Sequence, residues 1–257
     1  MRIFLTILST VAILQAEPTP APTPPAPPTP ELPGKPSTEQ AGKAPEAAKT
    51  PSVTKLENGM IKVGEVTFDP KTRQIFIPCI VNMNEGMLEY AIVHEGGKVH
   101  ESLLKTKASP TDINVAFKLL RYVESPELFP LPRENYETPV QYPVVSDEVR
   151  KGARVDLSLE WKDEGKSKKA ELAEWIHHGD ETKLMGKEPW VYGGSMMYAG
   201  KFVAESTGDI ASICVVSASI LLYAGQDDDN DEMWHANHDA MPAKDSPVTL
   251  VISPHKP

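Results

Sequence analysis

IFIPCIVNMNEGMLEYAIVHEGGKVHESLL, residues 75–104, is the stretch whose reading decides the fold. Residues 75–81 are almost wholly apolar, residues 82–86 break the run, and residues 87–93 are apolar again apart from Glu89. Runs of about seven residues rich in Ile and Val, bounded by Gly and Asn, suit buried β-strands. Glu95-Gly96-Gly97-Lys98 reads as a hairpin turn, with residues 99–104 as the returning strand.

Outward from this centre the same grammar continues. Asn58-Gly59 and Asp69-Pro70-Lys71-Thr72 are turn signals on the N-terminal side. On the C-terminal side, Ser109-Pro110-Thr111-Asp112 is a capping box with Pro at the first helical position. Ile113, Ala116, Phe117 and Leu120 follow at helical spacing, predicting an amphipathic helix with a core-facing stripe. Pro126, Pro130, Pro132, Pro139 and Pro143 then forbid regular structure, leaving a long loop that carries function or covers a sheet edge. Val155, Leu157, Leu159 and Trp161 alternate with polar residues, as a half-buried strand does. Asp163-Glu164-Gly165-Lys166 turns the chain, and residues 169–178 fit a short helix as well as a strand. Further strands are expected around residues 190–195, 201–205 and 210–216. Val248, Leu250 and Ile252 predict a last one. The sum is a mainly β (α+β) domain, expected to be a β-sandwich, immunoglobulin-like in style, with one or two helices packed on it.

The 257 residues carry a net charge of −10 and 25 prolines. An acidic chain lacks the Lys and Arg excess that phosphate neutralisation needs, which argues against nucleic acid as partner. Met1-Arg2 followed by an apolar run and Gln15-Ala16 predicts a signal peptide over residues 1–16, with an uncleaved anchor as the alternative. No further segment approaches the length of a membrane span. Residues 17–51 are dense in Pro, Ala and Thr, with Leu32 their one large aliphatic, and predict an extended disordered stalk. Residues 52–257 form the single globular, β-rich domain. Export makes Cys79 and Cys214 a candidate disulfide; two small buried hydrophobes are the alternative.

Three groups of residues invite a chemical reading. His100, Glu101 and Ser102 combine a base, an acid and a hydroxyl, but neighbours on a strand point to opposite faces, so a hydrolase is a minor reading. Residues 226–240, QDDDNDEMWHANHDA, hold Asp227, Asp229 and Asp231 at the spacing that opens a calcium loop, with His235 and His238 as transition-metal candidates. Glu232 and His238 stand where an EF-hand needs Gly and Glu, so calcium or zinc would require a looser site. The plainer reading is a solvated acidic loop with Trp234 plugging the core. Residues 190–198 are rich in aromatics and Met; Trp190 is a candidate binding residue if exposed and a core residue otherwise. No phosphate loop, dinucleotide turn, Cys-x-x-Cys pair or His-Glu-x-x-His motif occurs.

Several segments resemble the YdjY-type domain: Val81-Asn82-Met83-Asn84-Glu85-Gly86-Met87-Leu88-Glu89-Tyr90, Gly97-Lys98-Val99-His100-Glu101-Ser102, and Ser109-Pro110-Thr111-Asp112-Ile113. Pro189-Trp190-Val191-Tyr192-Gly193-Gly194-Ser195, the acidic stretch up to Trp234, and Ser246-Pro247-Val248-Thr249-Leu250-Val251 extend the similarity over most of the domain. The resemblance implies an exported bacterial protein and carries no assigned reaction. The Pro-rich stalk and Cys79 depart from the pattern. Together these readings predict a non-catalytic, extracytoplasmic interaction module of a bacterial envelope, in one form associated with a surface filament or pilus. It would bind a protein partner or itself; a calcium-, zinc- or small-ligand-binding protein using residues 227–238 is the alternative.

Overall fold

The computed structural model describes residues 52–135, 137–179 and 183–256; the expected signal peptide and stalk lie outside them. The described strands are β1 (Val53–Lys55), β2 (Ile61–Val63), β3 (Val66–Phe68), β4 (Ile75–Val81), β5 (Tyr90–His94), β6 (Ser102–Thr106), β7 (Arg154–Asp163) and β8 (Lys166–Glu171). They continue with β9 (Ile176–His178), β10 (Trp190–Tyr192), β11 (Met197–Tyr198), β12 (Lys201–Phe202), β13 (Asp209–Ser212), β14 (Leu221–Leu222), β15 (Trp234–Ala236) and β16 (Pro247–Pro254). Three short α-helices accompany them: α1 (Pro110–Leu119), α2 (Asp147–Gly152) and α3 (Val203–Thr207).

The architecture corrects the sandwich expectation. Strands β4-β16-β7-β10-β14-β13-β5-β6 follow one another in the main sheet, and β6 pairs back onto β4, closing an eight-stranded barrel. Closure leaves no open edge within the ring. Two long strands serve as branch points. The first half of β4 pairs with β3 and its end pairs with β6. The start of β7 pairs with β10, whereas its far half pairs with β8, which leaves the ring as a projecting hairpin.

The reason for closure lies in the stretch read as a hairpin. β5 and β6 are parallel, Tyr90 opposite Ser102 and His94 opposite Thr106. Residues 95–101 therefore cross back instead of turning, with a 3-10 turn at Val99–Glu101. A two-residue hairpin turn needs positive φ, and neither Gly96 nor Gly97 has it. Gly97 serves close approach instead. A Cβ there would lie 3.0 Å from the Thr207 carbonyl oxygen and 3.3 Å from Gly208 Cα. A second short crossover, residues 213–220, joins the parallel pair β13 and β14. A sandwich built from hairpins contains no such joins.

Side-chain alternation fills the interior in layers. Across β4, β16 and β7 the register stacks Ile75, Ile252 and Leu157, then Ile77, Leu250 and Leu159, then Cys79, Val248 and Trp161. All but the half-buried Trp161 are buried. The intervening row, Pro78, Thr249, Glu160 and Lys169, faces the other way. The expected helix is α1, and its stripe is buried as predicted: Ile113, Ala116 and Phe117. Phe117 stacks on Tyr192 at 4.1 Å and 7°, and the Tyr192 hydroxyl donates to Asn114 Oδ1 at 2.6 Å. The described residues between α1 and α2 form neither helix nor strand after Leu119, as the prolines require. Ser125 and the buried Glu127 fasten the start of this loop to the barrel, through the Tyr192 carbonyl and through Arg154. Residues 169–178 divide between both expectations: the end of β8, a 3-10 turn at Leu172–Trp175, and β9.

Cys79 is buried inside the barrel and Cys214 is half-buried just beyond β13; both thiols are free, so the disulfide read from the sequence is not made. Among the described residues, no helix is long and apolar enough to cross a membrane.

Candidate functional site

The residues singled out from the sequence are dispersed by the fold. Ser102 is fully buried and its hydroxyl donates to the Leu104 carbonyl at 2.8 Å. His100 lies on the 3-10 turn with its side chain 77% exposed. The assumed strand face shared by His100 and Ser102 does not exist, because residue 100 precedes the strand. Glu101 is engaged by Lys98 at 3.2 Å, and Lys98 also reaches Glu89 at 3.6 Å. No base–hydroxyl pair is formed there. Burial pushes the Glu89 carboxyl above its ordinary value of 4.5, with Glu101 adding to the rise. Trp190 and Trp234 are buried, the second fully, and both flank Tyr223. They serve the core rather than a binding surface.

The acidic loop has a structural anchor. Asp227 stands 2.7 Å from Nε2 of the buried His178, and its carbonyl accepts the Trp234 indole N–H at 3.2 Å. Val215 N–H donates to the Asp228 carbonyl at 2.7 Å. Asp229 and Asp231 remain exposed. His235 sits directly across from His177 on β9, while exposed His238 pairs only with its neighbour Asp239. Asn84, Glu85, His177, His235 and His238 border a polar hollow of about 660 Å³. Among the described residues, no three His, Cys, Asp or Glu side chains converge to hold a metal ion.

A larger concavity than this hollow lies elsewhere and was not anticipated. A groove of about 1050 Å³ crosses five consecutive strands, β8, β7, β16, β4 and β6. Pro78, Ile80 and Pro247 give it an apolar floor with Lys105, Lys107, Lys162 and Lys169 around it, Trp161 and Lys168 border it from the opposite face of the β7–β8 hairpin, and Glu65, Glu95 and Glu160 also line it. Lys105 is 3.7 Å from Asp245 and Lys169 is 3.5 Å from Glu160. Among the described residues, Lys107, Lys162 and Lys168 have no carboxylate within ion-pairing distance. Long Lys stems cover apolar surface while keeping the ammonium wet. In a chain of net charge −10, the five lysines lining the groove outnumber its three carboxylates, Glu65, Glu95 and Glu160, and leave a local excess of positive charge. Such a groove fits an extended segment with alternating acidic and apolar side chains. A clue lay in the run Lys162, Lys166, Lys168, Lys169 around one turn of an acidic sequence. Which lysines share a face follows only from the β7–β8 register.

A second surface divides a segment read as one. Trp190–Tyr192 is core, whereas Met196, Met197 and Tyr198 are exposed at the β11–β12 hairpin. Exposed apolar clusters of this kind mark contact surfaces.

The described domain is thus a closed mixed β-barrel with a lysine-bordered groove on its wall. The YdjY domain matches residues 66–253, and the chain belongs to that family. No curated protein matches the chain, and no solved structure matches it.

Proposed function

We propose that this protein is a non-catalytic interaction module of a bacterial cell envelope, exported by its N-terminal segment and holding a partner protein in the lysine-rimmed groove. The observation that carries the reading is the groove itself: apolar below, cationic at the rim, and bordered by β8, whose outer edge is unpaired in the described sheet. Extended segments bind such places through alternate side chains in the floor and main-chain bonds to a strand edge. Export is supported by the leader-like start of the sequence, and a surface filament is one assembly in which such a module serves.

The test uses a synthetic peptide of alternating Asp and Leu and a neutral peptide of alternating Asn and Leu, titrated into the full chain by fluorescence anisotropy. The acidic peptide binds and the neutral one binds at least about tenfold more weakly, the discrimination that roughly 1.4 kcal/mol supplies. Lys162→Glu/Lys169→Glu removes the difference. Equal affinity for both peptides, or full affinity in the double variant, overturns the proposal.

A further inference from the structure

We infer that the segment held in the groove is the acidic loop, residues 226–232, of a second copy of this chain, an inference that rests on the groove being a docking site. Five carboxylates fall within that loop, Asp227, Asp228, Asp229, Asp231 and Glu232, of which Asp227 is held by His178, and lysines outnumber carboxylates in the groove lining. Loop and groove are complementary in sign.

The loop is also held in shape before any partner arrives. The His178–Asp227 contact, the Trp234 indole bond to the Asp227 carbonyl, and the Glu232 N–H bond to Asn230 Oδ1 at 3.1 Å fix its course. Pre-ordering lowers the entropy lost on docking. Carboxylates from neighbouring elements strengthen its field: Glu89 and Glu101 lie close enough to join Asp228 and Asp231 in raising the half-buried Cys214 thiol. An apolar anchor is at hand as well. Met87, 57% exposed, pairs with His235 beside the loop and offers the groove floor a large flexible side chain.

None of residues 226–232 lines the groove of its own chain. The loop of one copy therefore meets the groove of another: reciprocated about a two-fold axis the contact closes a dimer, and passed on from copy to copy it propagates into a filament or closes into a ring.

Sedimentation velocity of the full chain tests this over a concentration series at two salt levels. Wild-type protein forms species larger than a monomer as concentration rises, and they recede between about 50 mM and 500 mM salt as the Debye length contracts. Lys162→Glu/Lys169→Glu and Asp229→Lys/Asp231→Lys each give monomers, since each loses one half of the contact. Mixed in equal amounts the two variants reassociate, because the acidified groove accepts the basic loop. Circular dichroism matching wild type confirms that these exposed positions leave the fold intact. Monomeric wild type at all concentrations, or a mixture that stays monomeric, overturns the inference. Groove-dependent binding of the Asp/Leu peptide in that event leaves the docking site standing and sinks only the second copy as its occupant.

Discussion

Gly97 and Gly208 are the residues at which the fold tolerates least. They let two backbone segments touch: a Cβ on Gly208, whose φ is +82°, would come within 2.9 Å of Gly97 Cα. Gly97→Ala is expected to cost about 1–3 kcal/mol by overpacking, and Gly208→Ala more, because positive φ is strained for Ala. Urea midpoints check this; a Gly97→Ala protein as stable as wild type rules out the tight crossing. Asp209, next along the chain, makes a prediction in pH. Burial holds its carboxyl above the ordinary 3.8; Thr207 and Lys98 oppose the rise and Glu101 adds to it. A carboxyl raised by folding is protonated more readily folded than unfolded. Stability is thus lost as pH climbs past the unfolded value toward the raised one. Asp209→Asn is expected to raise the urea midpoint at pH 7 and to lose that gain below about pH 4. No gain at pH 7 contradicts the burial penalty. The sequence identified Gly96-Gly97 as a turn but could not say which turn, since the reason for Gly97 lies more than a hundred residues away.

At the level of elements, α1 was legible because its signals are local. Ser109 Oγ accepts from Asp112 N–H at 3.3 Å, as a cap residue does. Its second support was not legible: Glu205 of α3 accepts from the Ser109 hydroxyl and from Thr111 N–H, both at 2.8 Å. Burial works against the Glu205 charge, yet these bonds outweigh it and hold the carboxyl below its ordinary 4.5. The stability this supplies is present above the unfolded value and fades as pH falls through the lowered one. Glu205→Gln is expected to lower the thermal midpoint at pH 7, with the deficit shrinking below pH 4; a deficit constant with pH assigns Glu205 a packing role instead. Strands β4, β7 and β16 were equally readable, since alternation or continuous apolar character is written in each. Their partners were not, because two parallel joins of seven and eight residues imitate hairpins in sequence.

For the molecule as a whole, barrel closure decides how its thiols behave. Burial pushes Cys79 up to about 12, and burial together with nearby carboxylates does the same for Cys214. Both should resist a thiol reagent at pH 8, with half-buried Cys214 reacting before Cys79 and both reacting at once in denaturant. Cys79 reacting first would mean that the barrel interior is open. The groove escaped the sequence reading for a geometric reason. Lys105 and Lys162 lie on separate strands that only the closed ring brings to one wall. One strand has a further consequence. β16, residues 247–254, sits between β4 and β7 and pairs with both along most of its length. The ring has no wall at that place until β16 is in position, so a chain that lacks it cannot complete its core.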